Sequence, residues 1–284
     1  MTKAVDRLAV VENISKNIEN GKYNEKAEVG DPQLTEAERQ KIIVHFDTLR
    51  RRPVNRIKAN IARKMAEKIT LDVNKDTEII GVENIQNLPS GAIITCNHFS
   101  KIDNTIIRYL MCKINKEKDL YIVVQETNMK MPGTIGFLLK NCYTIPLSMN
   151  TEYLSKNFEP TLKHIFDRNG YVLIYPEQEM WFNYKRPRTP RIGAYHYACK
   201  FNVPIVPCFI EMNETNEIGP DGFKKIKYKL HVLPPIYPDI QKEMHERKKE
   251  MCEKDYSEKV CIYEKVYNRK IDSKFEKELD IAGW

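Results

Sequence analysis

The sequence has no apolar run near the roughly 18 residues that a membrane-crossing helix needs, so no transmembrane span is expected. It does not open as a secretory leader: Met1-Thr2-Lys3-Ala4-Val5-Asp6 leads into a charged amphipathic segment. The seven cysteines are odd in number and form no C-x-x-C, which argues against a disulfide framework and fits a reducing, cytoplasmic setting. The absence of a G-x-S-x-G elbow argues against a serine hydrolase. Gly133 and Gly136 are not followed by G-K-[ST], so they do not form a P-loop. His231 and His245 stand apart, and no ligand lies at useful spacing from His98 or Asp103. Neither a metal nor a resident cofactor is therefore expected. There is also no internal repeat and no low-complexity tract.

What is present is a basic globular chain. Its 284 residues are 42% hydrophobic and 30% charged, with a formal net charge of +7. Such a surplus favours acidic partners: nucleic acid, anionic lipid or phosphorylated ligands. Three regions can be drawn. Residues 1–70 read as an N-terminal, membrane-facing helical segment. Residues 71–238 alternate strand and helix. Residues 239–284 are a charged, mostly helical tail that wraps the outside. In the first region Val5, Leu8, Val11 and Ile14 can line one face of a short helix. A helix then opens at a capping box, Thr35-Glu36-Ala37-Glu38, and carries Ile42, Ile43, Phe46 and Leu49. Arg50-Arg51-Arg52-Pro53 interrupts it. A second helix carries Val54, Ile57, Ile61, Met65 and Ile69 on one face and Arg56, Lys58, Arg63, Lys64 and Lys68 on the rest. This basic amphipathic hairpin suits an anionic membrane surface, or else packs on the main domain. Nucleic acid is not expected, because no aromatic residues are interleaved with the charges.

From residue 78 the strand candidates are 78–82, 92–96, 120–125, 142–147, 171–175, 205–210 and 228–233, with helices over 103–115, 131–141, 153–168 and 190–201. The expected fold is α/β: a mixed, largely parallel sheet flanked by helices, with the N-terminal hairpin and a helical C-terminal tail.

One stretch carries chemistry. Ala92 to Cys96 reads as a buried strand running into Asn97-His98-Phe99-Ser100-Lys101-Ile102-Asp103, after which helical spacing begins. Asp103 or Asn104 can cap that helix. His98 and Asp103 thus sit on a strand-to-helix turn, where α/β sheets place their sites. A neutral imidazole there can take a proton from a hydroxyl, and a carboxylate on its other nitrogen fixes the tautomer. None of the other five histidines has an aspartate five positions on. A second strand ends in Tyr175-Pro176-Glu177, where Glu177 can hold a substrate hydroxyl or be a solvated turn residue. Beyond it come Trp181, Phe182 and Tyr184, then Lys185, Arg186, Arg188 and Arg191. The cations suit an anion. The aromatics suit an acyl chain, a membrane interface or the core.

Four stretches in this order resemble the glycerolipid acyltransferase superfamily, which includes bacterial 1-acylglycerol-3-phosphate acyltransferases. Asn97 to Asp103 is similar to its N-H-x-S-x-x-D, Gly136-Phe137-Leu138-Leu139-Lys140 to its glycine–aromatic helix, Tyr175-Pro176-Glu177 to the opening of its F-P-E-G-T-R, and Val203-Pro204-Ile205-Val206-Pro207-Cys208 to its V-P-I-x-P-V strand. The resemblance implies transfer of a fatty acyl group from acyl-CoA or acyl carrier protein, as co-substrate, to a lysolipid hydroxyl. His98 would be the base and Asp103 its orienting partner. Glu177 would hold the acceptor, and Asn97, Ser100 and Lys140 would support the site. The oxyanion would be met by backbone N–H groups near the strand ends. Gln178-Glu179-Met180 stands where the family has G-T-R, so the arginine that reads a phosphate monoester is missing. Lys185, Arg186, Arg188 and Arg191 are the candidate replacements. The alternatives are a non-phosphate amino-lipid or glycolipid acceptor, or a catalytically silent lipid-binding module. The implied location is peripheral, on the cytoplasmic face of a membrane.

Overall fold

The computed structural model describes residues 4–29, 34–50, 54–116 and 119–284. The Arg51–Pro53 interruption and the side chains of Val5, Phe46, Leu49 and Val54 lie outside the described residues. In chain order the elements are α1 (Ala4–Glu19), α2 (Glu36–Arg50), α3 (Val54–Val73), β1 (Glu78–Ile80), α4 (Glu83–Gln86), β2 (Ala92–Thr95), α5 (Asn104–Lys113), β3 (Leu120–Gln125), α6 (Gly133–Asn141), β4 (Thr144–Leu147), α7 (Thr151–Tyr153), α8 (Glu159–Phe166), β5 (Tyr171–Ile174), α9 (Gly193–Phe201), β6 (Ile205–Ile218), β7 (Lys224–Val232), α10 (Met244–Tyr267) and α11 (Lys277–Asp280). A π turn, Leu154–Phe158, joins α7 to α8.

The seven strands form one sheet in the order β1-β7-β6-β2-β5-β3-β4. All pairings are parallel except the β6–β7 hairpin, so the fold is α/β with a mixed, largely parallel sheet. The central strand β2 is buried along its whole length. Because successive strand side chains face opposite ways, Ile94 joins Ile106, Leu110 and Leu173 in the core on the α5 face. Ile93 joins Val172, Tyr195 and Met251 in the core under α8, α9 and α10.

The predicted capping box forms: Thr35 N–H donates to Glu38 Oε2 at 2.9 Å, and Glu38 N–H donates to Thr35 Oγ1 at 3.3 Å. In α1 the covered side differs by one position from the expectation. Val10, Val11 and Ile14 are buried, whereas Leu8 is exposed. They pack on Trp181, Phe182 and Tyr184, so these aromatics are core and line neither an acyl path nor an interface. The face of α3 that meets α5 and α6 is built from Ala62, Ala66 and Thr70, leaving Ile57 and Ile61 exposed. Small residues lie inward because two helices approach closely there.

Two further departures have clear causes. The β6–β7 hairpin runs well past the expected ends. On β7 Ile226 and Tyr228 continue the apolar face onto the core, but on β6 the distal run Asn213 to Glu217 is polar and carries no apolar alternation to detect. Cross-strand pairs such as Lys224–Glu214 and Lys225–Glu217 hold it instead. The C-terminal region does not merely wrap the outside. Asp255 and Lys259 of α10 are buried against Thr95. Thr95 donates to Asp255 at 2.8 Å, Lys259 donates to both at 2.9 Å, and Tyr195 donates to Asp255 as well. Past α11, Ile281 and Ala282 are fully buried, and Ala282 N–H donates to Asn183 O at 2.8 Å. Among the described residues no helix is long and apolar enough to cross a membrane.

Candidate active site

Thr95 closes β2 and pairs in parallel register with Ile174, which closes β5. Two neighbouring parallel strands therefore release their loops at one edge of the sheet, one carrying His98 and the other Tyr175 and Glu177. Asp103 stands at the head of α5, but its carboxylate does not cap that helix; it turns back on its own loop. Oδ2 lies 2.7 Å from His98 Nδ1 and accepts the backbone N–H groups of Phe99 at 3.0 Å and Ser100 at 3.1 Å. Oδ1 accepts the Tyr175 hydroxyl at 2.7 Å. A carboxylate 1% exposed is thus fully satisfied. With Asp103 beside Nδ1, that nitrogen is assigned the proton, and Nε2 offers its lone pair to the open side. The imidazole also stacks on the Tyr175 ring at 4.1 Å and 19°. In the loop after β2, the N–H groups of His98, Phe99 and Ser100 all have acceptors: Glu177 for the first and Asp103 for the other two. None of these three is therefore free for an oxyanion.

The open side is a cavity of about 560 Å³. His98 and Asp103 lie in its wall, and part of the wall is apolar: Ile69 from α3, Leu138 and Leu139 from α6, Ile122 and Val124 from β3. Ile102, Ile135 and Met149 also line it and are exposed, so its opening carries apolar side chains. Such a space can hold a chain of methylenes with its reactive end at the imidazole.

Residues 79–211 match the family model described as Acyltransferase. The match begins in β1, ends in β6 and spans both loops that build the dyad. Residues 79–211 belong to the acyltransferase family. The resemblance read from the four motifs, to the glycerolipid acyltransferase superfamily, is borne out by this match and by the fold. The chain is similar in fold to the crystal structure of the 1-acyl-sn-glycerophosphate (LPA) acyltransferase PlsC from Thermotoga maritima. The TM-score is 0.50 at 16% identity, over 95% of this chain and 97% of that one. Compared directly with curated proteins, the sequence matches none.

Within this acyltransferase fold the remaining candidates divide. Asn97 supports the site through the sheet. Its amide donates to Ile210 O at 3.1 Å and accepts Ile210 N–H at 2.8 Å, continuing the ladder where β2 faces Pro207, which has no N–H to give. Ser100 closes the loop, its hydroxyl accepting Ile102 N–H at 3.4 Å. Glu177 does not line the cavity. It is buried, accepts His98 N–H at 3.3 Å and Arg188 N–H at 2.9 Å, and pairs with the Arg188 guanidinium at 2.9 Å. Burial draws the Arg188 pKa below its usual value, and Glu177 pushes it back up.

Three of the four cations of the basic loop are engaged in the same way. Arg186 directs all five donors at Asp280 and the carbonyls of Ile271, Ser273 and Lys274. Lys185 pairs with Glu214 at 3.0 Å. Arg188 serves Glu177, Tyr23 O and Glu179 O. Arg191 is exposed, and only its N–H is placed, on Pro176 O at 2.7 Å. Lys140 does not line the cavity. The cations beside the dyad are Lys101 and Arg108, with Gln178 and Glu179 in the same wall. No spacing signal marks Arg108, which reads from sequence as one more surface position of an amphipathic helix.

Tyr175 was visible only as a motif member. What could have found it is a phenol at the end of an otherwise apolar strand, where burial demands a partner. Burial first, and then the Asp103 charge, push its pKa well above the usual tyrosine value, so it remains a donor. Tyr175→Phe leaves Asp103 Oδ1 without that bond. The expected result is a fall in kcat of about tenfold, ~1.4 kcal/mol, with KM for both substrates unchanged, as steady-state kinetics would show.

Proposed function

We propose that the chain is an O-acyltransferase that moves a fatty acyl group from a thioester donor, acyl-CoA or acyl carrier protein, to a hydroxyl of a lysolipid. This places it in phospholipid biosynthesis or remodelling, working peripherally at the cytoplasmic face of a membrane. The observation that carries the reading is a His98–Asp103 pair, 2.7 Å apart, on a cavity with an apolar stretch of wall and apolar side chains at its opening. His98 Nε2 takes the acceptor's hydroxyl proton as that oxygen attacks the thioester carbonyl. The tetrahedral centre collapses with loss of the C–S bond, and the proton passes to the departing sulfur. The acceptor brings its own nucleophile, so no acyl-enzyme is needed.

For the acceptor, Lys185, Arg186 and Arg188 are withdrawn into ion pairs, and the cavity wall combines Lys101 and Arg108 with Glu179 and Gln178. A wall of both signs suits a head group of both signs, or a hydroxylated one, better than a phosphate monoester. For the membrane, α3 leaves Ile57 and Ile61 exposed among Lys64 and Lys68, the composition of a helix that lies on anionic lipid.

The test is product identification. Purified protein with palmitoyl-CoA and mixed lysolipids is expected to release thiol and to form one diacyl product, seen by mass spectrometry. Folded protein that binds vesicles but acylates nothing, with either CoA or carrier-protein donors, would leave the silent lipid-binding module as the reading.

A further inference from the structure

Helix α6 separates two spaces. Thr134, Ile135, Leu138 and Leu139 face the catalytic cavity. Gly133, Gly136, Phe137 and Lys140, at helical spacing on another face, line a second cleft of about 480 Å³. Its opposite wall is α3. Met131, Cys142 and Thr144 line both spaces, so the cleft and the cavity share a partition.

The cleft holds four cations, Arg56, Lys58 and Arg63 from α3 and Lys140 from α6, and no aspartate or glutamate lines it. None of the four forms an ion pair among the described residues. Arg63 is fixed without a counter-charge. Its Nε donates to Ala59 O at 3.1 Å, its other nitrogens bond the Tyr143 hydroxyl and the Asn60 side chain, and its guanidinium lies 5.0 Å over the Tyr143 ring. Tyr143 has φ +41, a left-handed conformation that is unusual for a bulky residue. It nevertheless keeps its carbonyl bonded to Ile122 N–H at 2.9 Å. In the basic loop behind the dyad, by contrast, Lys185, Arg186 and Arg188 each have a carboxylate partner. Four like charges left together in a concavity repel one another, and a polyanion relieves that repulsion.

We propose that this cleft holds the phosphates of the acyl donor, a nucleotide-borne thioester of the coenzyme A class, with its acyl chain in the adjoining cavity. The assignment rests on the acyl-transfer reading and selects among its donors. Coenzyme A carries a pyrophosphate and a 3′-phosphate, which suit four cations, and an adenine, which suits an aromatic and guanidinium wall. A carrier-protein arm brings a single phosphate and an acidic protein surface.

The experiment compares the full chain with Arg56→Ser/Lys58→Ser/Lys140→Ser, leaving Arg63 in its packed place. Matched thermal midpoints verify folding. For palmitoyl-CoA the variant is expected to raise KM about tenfold or more with kcat within about twofold. With S-palmitoyl-pantetheine, which lacks the nucleotide, variant and wild type should agree. Calorimetry should show free coenzyme A, and adenosine 3′,5′-bisphosphate as a competitor, binding the variant about tenfold more weakly, with the difference shrinking at high salt. Unchanged KM and unchanged coenzyme A binding would overturn the assignment. So would equal losses with both donors, or a loss confined to flotation with phosphatidylglycerol vesicles, which would make the cleft a head-group site. If wild type binds coenzyme A and the variant does not, but neither acylates a lysolipid, the cleft stands and the acyl-transfer reading fails. Turnover from acyl carrier protein without coenzyme A binding would do the opposite, overturning the cleft's assignment and leaving acyl transfer in place.

Discussion

His98→Ala is expected to lower kcat for acyl transfer about 10³-fold, within the range of a positioned general base, and to leave the protein folded. The geometry makes both halves specific. The imidazole has one nitrogen on Asp103 at 2.7 Å and the other toward the cavity, so no neighbouring group inherits its task. Its ring is 21% exposed and packs mainly by stacking on Tyr175, so truncation opens a small space at a solvent-facing edge and not a core void. KM for the lysolipid should change little, because the base acts on the hydroxyl proton in the transition state. Loss of transfer measured by thiol release, with an unchanged urea midpoint, is the expected pair of results. Residual activity within tenfold of wild type would remove His98 from the role of base.

Glu177→Ala is expected to destabilise the fold by about 3–5 kcal/mol, the cost of leaving a buried charge without its partner. Arg188 would remain inside with its guanidinium on Tyr23 O and Glu179 O only, and His98 N–H would lose its acceptor. Activity should fall together with stability, since the bond lost belongs to the backbone of the catalytic histidine. The double variant Glu177→Ala/Arg188→Met removes the stranded charge as well, and should recover part of the stability measured by urea unfolding. A residue that held the acceptor would behave otherwise. Its loss would raise the acceptor KM at constant stability, and that outcome would return Glu177 to the substrate.

His98 and Asp103 were legible in the sequence because five positions across a strand-to-helix turn is a local relation. The seven strands were legible where they are buried, since burial on both faces forces continuous apolar runs. The roles of Glu177, Arg186 and Arg188 were not. Their chemistry depends on partners far along the chain: Asp280 lies 94 positions from Arg186, and Tyr23 lies 165 from Arg188. A cation in a loop reads the same from sequence whether it waits for a substrate or has an aspartate behind it. The distal β6–β7 hairpin was hidden for a related reason. The polar run Asn213 to Glu217 of β6 pairs through glutamate and lysine across the strands and leaves no periodic hydrophobic trace of its own.

The docking of Asp280 to Ala282 on the loop from Asn183 to Arg186 bears on how the molecule is born. A chain emerging from the ribosome exposes all of residues 79–211 while Arg186 still lacks Asp280, and β2 still lacks the Asp255–Lys259 pair beneath Thr95. The catalytic edge can settle only after segments made much later have reached it. The unit that folds is therefore larger than the unit that the family shares, and a fragment cut at the family's limits would carry the dyad without the means to hold it still.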